Sequence, residues 1–370
     1  MSKHGPRHVK NFREALALSS RRLGFSVTQG CPLKCSHCSV GAAPELHANR
    51  YDRSFALEVV RQMPAIAETG ICSIDFTGGE PTLLMGFVGD VSAAAAEFDI
   101  TCGVVTAAHW AGTDRQARRT LRALRNIDHW DISTDVYHTD FVPLSAVERA
   151  YGMLKDEGKS VIIRIAYHEP MKYEDAALID AVMAFAERNV SFQPIGPVGR
   201  GADIVQSTVA DAENYDRGPC PTTGPLIQWD GRVAPCCAPA SHEGHDHALW
   251  LGSARRSPIV ELIRRWRIDP LLQTIRVWGF GIVRDWFAEA GMADTHILRS
   301  RTCDSCVQLL RDPSLMAIAV ERASALSHRV RLAYALLKEF DEPWLDETLR
   351  REAAEYLRIG AWPTRPFEAA

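Results

Sequence analysis

Eight of the ten cysteines in this 370-residue chain fall into three short clusters, and that grouping restricts the chain more than any other feature. The first is Cys31-Pro-Leu-Lys-Cys35-Ser-His-Cys38, a C-x3-C-x2-C spacing. The second holds Cys220, Cys236 and Cys237, and the third Cys303 and Cys306. Ten cysteines in 370 residues are too few for a disulfide scaffold. Thiols grouped in this way point instead to metal ligation or catalysis. A zinc site usually takes four ligands, and neither a fourth cysteine nor a distal histidine pair lies near the first cluster. Three thiolates on a tight loop suit three irons of a 4Fe-4S cluster, with the fourth iron left open to a ligand.

Composition narrows the class. Apolar residues are 46% and charged residues 24% of the chain, as a globular protein with a buried core requires. Lysine and arginine number 42 against 46 acidic residues, so the net charge of −4 argues against a protein built to grip nucleic acid. No apolar run approaches the roughly 20 residues of a membrane span. The first 20 residues lack the apolar core and small-residue cleavage site of a secretory signal. A cytoplasmic location without membrane contact is therefore expected.

Strand-like and helix-like runs alternate through the first 200 residues. Strands are expected at Leu23–Gln29, Ile71–Phe76, Thr101–Thr106, Trp130–Thr134, Val161–Tyr167 and Val190–Ile195. Helical patterns around Ser54–Glu68, Phe87–Glu97, Asp114–Asn126, Ser145–Glu157 and Tyr173–Arg188 separate them. Such alternation implies an α/β fold, a parallel sheet with helices outside it, and functional groups at the carboxyl ends of the strands.

The first cysteine cluster, placed just after the first strand, resembles the signature of the radical S-adenosylmethionine (SAM) superfamily. That resemblance implies a partial (β/α)6 TIM-like barrel, a 4Fe-4S cluster on Cys31, Cys35 and Cys38, and SAM on the open iron. It also implies reductive cleavage of SAM to a 5′-deoxyadenosyl radical that abstracts a substrate hydrogen, with an external one-electron reductant of the flavodoxin or ferredoxin type. His37 stands where the family commonly has an aromatic residue near adenine. Gly78-Gly79-Glu80 is similar to the family's motif for the SAM amino group. Ser133 and Asp135 are similar to a Ser-x-Asp that meets ribose or carboxylate. Arg164, a charge within an apolar strand, is either an outward, solvated residue or a clamp on the methionine carboxylate. The segment Gln193–Arg200 resembles the family's last SAM-contacting stretch. Cys72 and Cys102, in strand cores, are expected to act as small apolar residues.

After Arg200 the alternation stops. Gly201–Arg217 reads as a polar linker, and a hairpin is expected from Leu226–Trp229 to Val233–Ala234 with its turn at Asp230-Gly231. The C-x10-G-x4-C run from Cys220 to Cys236, with the later Cys303-x2-Cys306 pair, resembles the SPASM and shorter twitch auxiliary-cluster domains. The resemblance implies one auxiliary 4Fe-4S cluster on Cys220, Cys236, Cys303 and Cys306, with Cys237 as the alternative to Cys236. A zinc ion on the same four thiolates remains open. Arg255, Arg256, Arg264, Arg265 and Arg267 form either a solvated helix face or an anion site. Pro313–Phe340 and Trp344–Ile359 read as amphipathic helices.

The expected organisation is a lead segment at 1–24, the barrel at 25–200, the auxiliary domain at 201–312 and a helical tail at 313–370. By family frequency the expected substrate is a ribosomally made peptide, presented with the help of a separate leader-binding protein. Oxidation or rearrangement of a small alcohol, sugar or nucleoside is the alternative. A non-catalytic iron–sulfur or zinc regulatory protein is the rival from another class.

Overall fold

Period-two alternation decides how the strands sit. In strand β1 (Arg22–Ser26) Leu23 and Phe25 are buried while Arg22 and Gly24 are partly open. Strand β2 (Ser73–Thr77) buries Ile74 and Phe76 and turns Ser73, Asp75 and Thr77 the other way. Strands β3 (Thr101–Thr106), β4 (His129–Thr134), β5 (Ser160–Tyr167) and β6 (Val190–Pro194) follow. The apolar set faces the helices α1 (Arg53–Glu68), α2 (Met85–Ala96), α3 (Asp114–Ala123), α4 (Leu144–Asp156) and α5 (Tyr173–Ala186). Trp130, fully buried in β4 and 5.4 Å from the Trp110 ring, belongs to that outer layer. The opposite faces carry glycine, serine, threonine and charged residues. The inside of this curved sheet is therefore an open chamber in which charged and polar side chains stand among small and apolar ones, not the filled plug of a closed (β/α)8 barrel.

The computed structural model describes residues 18–196, 198–205, 218–220, 222–237, 249–292, 306, 309–338 and 351. Its sheet runs in the order β6-β5-β4-β3-β2-β1-β7-β8-β9, with β1 to β6 parallel. The ends do not meet, which makes the partial, TIM-like barrel expected from the sequence. All six barrel strands and five helices fall where the alternation puts them, within two or three residues at most boundaries.

The hairpin is present as β7 (Leu226–Gln228) and β8 (Arg232–Ala234), turning through Gly231 at φ +89°. It does not stand apart from the barrel. β7 pairs in parallel with β1, Gly24 opposite Leu226, and the Tyr51 hydroxyl donates to the Ile227 carbonyl at 2.7 Å. A short strand, β9 (Gly252–Ser253), closes that edge.

Helices α6 (Ile259–Ile268), α7 (Pro270–Trp278) and α8 (Gly281–Glu289) cover this end. The arginines of α6 and its lead-in mostly hold the fold together. Arg267 donates to the Ser20 and Thr69 carbonyls, Arg255 to Asp52 and the Asp230 carbonyl, and Arg265 to Glu261 and the Leu251 carbonyl. The run expected as one helix from Pro313 divides at Ala325 into α9 (Pro313–Ser324) and α10 (Leu326–Lys338). The expected helix at 344–359 lies, but for Arg351, outside the described residues, as does most of the 201–217 linker. No described helix is long and apolar enough to cross a membrane.

The tail docks through a buried histidine. His328 of α10 meets the Thr274 hydroxyl at 2.7 Å and abuts the Trp278 and Trp286 rings. Burial, helped by nearby Arg331, pushes its pKa down to about 4. Folded protein thus keeps His328 neutral where the unfolded chain, with an ordinary pKa near 6.5, binds a proton. Stability should fall as pH drops from about 6.5 to about 4, by on the order of 3 kcal/mol at the lower end. Thermal melts of wild type and His328→Gln at pH 7 and pH 5 check this, since the variant should lose less on acidification.

Candidate functional site

The loop from Cys31 to Cys38 is held from two sides by backbone. From β1, the Cys31 N–H donates to the Ala43 carbonyl at 3.2 Å, and Ala43 donates in turn to Gln29. From the end of β6, Arg200 reaches across the barrel mouth. Its Nε donates to the Cys35 carbonyl at 2.9 Å, its Nη2 to Ala42 at 2.8 Å and its own N–H to Cys38 at 3.0 Å. The stretch expected to contact SAM therefore also clamps the cysteine loop. Gly199, at φ +55°, makes this approach possible, because a Cβ there would lie 2.4 Å from the Ser39 carbonyl oxygen.

The Gly78-Gly79-Glu80 turn follows β2 beside that loop. The Gly79 N–H donates to Thr28 at 2.6 Å and the Glu80 N–H to Gly30 at 2.9 Å. A Cβ on Gly79 would sit 2.2 Å from the Gly30 oxygen, and Gly78 holds φ +119°. Both glycines are thus dictated by loop meeting loop, whatever else approaches them. Glu80 differs from its expected placement. It is 1% exposed and does not line the cavity. Its oxygens accept from Thr82 N–H and hydroxyl, the Thr106 hydroxyl and the Ala107 N–H. Burial by itself would raise the Glu80 pKa, but His109 at 3.6 Å with the Thr82 and Ala107 donors holds it below the usual range. The side chain anchors the turn.

Cys31, Cys35 and Cys38 all face one cavity of about 780 Å³, which Gly78, Gly79, Ser133, Asp135 and Arg164 also line. Burial pushes the Cys31 and Cys35 thiols up to about 12, so protons must leave as metal arrives. The donor set fits a cluster better than a single ion. Among the described residues, the group of three ligating side chains whose atoms gather within 4.8 Å is His37, Asp135 and His138, not the cysteines. Tetrahedral zinc, with bonds of about 2.3 Å, would draw its sulfurs to within about 3.8 Å of each other. Sulfurs bound to three different irons stand farther apart.

His37 is fixed from two sides. Its Nε2 lies 3.1 Å from Asp135 Oδ2, and its ring stacks on Tyr137 at 5.1 Å. Asp135 also accepts from His138 Nδ1 at 2.7 Å and from the Tyr137 and His138 N–H groups. Burial opposes its ionisation, yet the two imidazoles hold its carboxyl well below the usual range. Behind this layer, the Tyr137 hydroxyl meets His168 Nε2 at 2.7 Å, and His168 Nδ1 meets the buried Asp175 at 2.9 Å. The sequence reading missed Tyr137, His168 and Asp175. They are scattered over three segments, and only the fold brings them together.

Arg164 faces into the chamber, which removes the outward reading. Its guanidinium forms a two-pronged pair with Asp131 and reaches Gln193 at 3.3 Å. Burial would lower its pKa, but Asp131 more than offsets that. A clamp on a methionine carboxylate would have to share this guanidinium with Asp131, a partner the sequence reading left out.

Of the auxiliary set, Cys220 and Cys306 pack against the main core, and Cys236 follows β8. Cys303 lies outside the described residues. Cys237 is exposed and lines the cavity, unlike its neighbour Cys236. Cys102, the second residue of β3, is buried as an apolar residue, and Cys72, just before β2, is partly buried.

The profile of the radical SAM superfamily matches residues 25–182. Over 233 residues the chain is 22% identical to the protein of Bacillus subtilis (strain 168) named "Putative peptide biosynthesis protein YydG", covering 60% of this chain and 71% of that one. Among solved structures, Streptococcus suis SuiB bound to S-adenosylmethionine aligns with a TM-score of 0.46 at 18% identity, over 69% of this chain and 67% of that chain. Native anSMEcpe with bound AdoMet aligns at 0.48 and 16% identity, over 80% and 99%. Residues 25–182 thus match the radical SAM superfamily domain. That domain implies a 4Fe-4S cluster and SAM as cofactors, and the three thiols of the chamber are the donors such a cluster uses.

Gly79→Ala should force the Thr28–Gly30 backbone and the cysteine loop apart. The expected result is a loss of about 1–3 kcal/mol in stability together with reduced iron retention after reconstitution. Thermal melts and iron analysis check it. A variant matching wild type in both would show that the two loops are not locked together.

Proposed function

We propose that this protein cleaves SAM reductively and uses the resulting radical to modify a ribosomally made peptide, leaving a crosslink, an epimerised centre or a thioether. The observation that carries the reading is the meeting of three thiols, a Gly-Gly strand end and the charged side chains of Asp131, Asp135 and Arg164 in a single cavity. The likeness to YydG supports a peptide as the substrate.

In this reading Cys31, Cys35 and Cys38, which all line the chamber, would hold three irons of the cluster. When bound, the cluster and SAM supply a 5′-deoxyadenosyl radical that abstracts a hydrogen atom. The protein's own groups orient and shield. The Gly78-Gly79 backbone borders the place for the methionine end of SAM, while Glu80 acts from behind by holding that turn. His37, steadied by Asp135 and Tyr137, offers a planar face for the base. Ser133 is open to the ribose or carboxylate. Arg200 keeps the cysteine loop closed over the barrel mouth.

The auxiliary cluster is assigned to Cys220, Cys236, Cys303 and Cys306. Cys236 is preferred to Cys237 because the latter is turned to the chamber. A one-electron reductant of the flavodoxin or ferredoxin type, a separate leader-binding protein and a cytoplasmic setting complete the proposal.

Two measurements test it. Protein reconstituted anaerobically with iron and sulfide, reduced and given SAM should release 5′-deoxyadenosine. Cys31→Ala, Cys35→Ala or Cys38→Ala should each lower that yield at least a hundredfold. No product from fully loaded wild type would end the enzyme reading. Cys303→Ala with Cys306→Ala should halve iron content from about eight to about four per chain. Retention of the full load would overturn the auxiliary ligand set.

A further inference from the structure

The chamber contains three carboxylates and three guanidinium groups, and most of them are already satisfied. Asp131 pairs with Arg164, Asp135 with two imidazoles, and the Arg200 guanidinium with the Cys35 and Ala42 carbonyls. Asp75 and Arg22 remain. Among the described residues neither side chain makes a hydrogen bond or ion pair, although both line the cavity.

Asp75 is the more constrained of the two. It lies at the centre of β2, with Gly24 of β1 and Gly103 of β3 as its paired neighbours on either side. Neither neighbour has a side chain to cover it. Its carboxylate leans over Gly103, so that a Cβ there would lie 2.4 Å from Asp75 Oδ1. Leaning over Gly24 from the other side is Leu226 of β7, whose Cδ1 would lie 2.6 Å from a Cβ at that position. The result is a notch with a carboxylate at its base and an aliphatic wall beside it. A short side chain cannot withdraw from such a place to bulk solvent. Arg22, the first residue of its strand, has a long stem that allows its charge to reach solvent. The Asp75 oxygens open on the chamber with no hydrogen-bond or ion-pair partner from the described residues, so they are available to a cation that enters it.

We propose that Asp75 is the specificity carboxylate of the chamber and takes the ammonium or guanidinium of a basic side chain of the substrate peptide. The Leu226 wall packs the methylene stem of that side chain. This assignment rests on the chamber being the substrate site of the proposed enzyme.

The test uses full-length, reconstituted, SAM-loaded enzyme and capped amino acids as probes, with binding measured by calorimetry. Nα-acetyl-lysine methylamide and Nα-acetyl-arginine methylamide should bind about tenfold or more tightly than the norleucine and glutamate analogues. Asp75→Asn should abolish that preference and Asp75→Glu should keep part of it. Gly103→Ala should weaken the basic probes by displacing the carboxylate while leaving the charge in place, which covers the case of Asp75→Asn failing to fold. Equal binding of all four probes by wild type, or a basic preference that survives Asp75→Asn, would overturn the proposal. So would a preference for the glutamate probe, which would make Arg22 the recognising charge. The 5′-deoxyadenosine assay on wild type is read separately. Product without a basic preference removes only the role of Asp75, whereas no product removes the proposed function and leaves the probe affinities standing as measured.

Discussion

The cysteine loop has no regular secondary structure, yet everything chemical here depends on where it sits. Its position is fixed by close backbone approach. The Gly79 and Glu80 amides reach into the Thr28–Gly30 carbonyls from one side, and Arg200 reaches three loop groups from the other. Neither approach tolerates an added methyl group at its contact point, whether at Gly79 or at Gly199. Three thiols that must meet a rigid inorganic core are thereby held before that core arrives. Pre-ordering of this kind matters because burial of Cys31 and Cys35 disfavours their thiolates until metal compensates.

Sheet chirality and alternation explain why the chamber exists. A central strand that buries both faces reads as an unbroken apolar run. Here Ser73-Ile-Asp-Phe-Thr77 and His129-Trp-Asp-Ile-Ser-Thr134 alternate strictly, so each strand presents one face to the helices and one to the interior. Within that interior the charges are answered in different ways. Arg164 and Asp131 lie on adjacent strands, and Asp75 lies between two glycines.

The same alternation marks how much could be read beforehand. The C-x3-C-x2-C spacing, the strand–helix rhythm and the Asp-Gly hairpin are local signals, and each appears in the structure where local chemistry puts it. The inward direction of Arg164 was also within reach, since Val161, Ile163 and Ile165 occupy the opposite parity. What the linear chain hides is partnership. That Glu80 is consumed by Thr82, Thr106 and Ala107 follows from the packing of the β2 and β3 ends. That Arg200 grips Cys35 follows from a contact across 165 residues. The attachment of β7 to β1 spans about as much chain and depends on Gly24 having no side chain to hold Leu226 away.

That last contact bears on how the second cysteine cluster sits relative to the chamber. A hairpin hung on a flexible linker would let an auxiliary cluster drift relative to the chamber. Instead β7 continues the barrel sheet, the Tyr51 hydroxyl ties Ile227 to the segment that follows the cysteine loop, and the Trp266 indole donates to the Pro235 carbonyl just before Cys236. One continuous hydrogen-bonded sheet therefore runs from the strand that launches the first cysteines to the strand that ends beside Cys236 and Cys237. The shared sheet, together with the Tyr51 and Trp266 tethers, fixes the Cys236 end of the hairpin relative to the chamber.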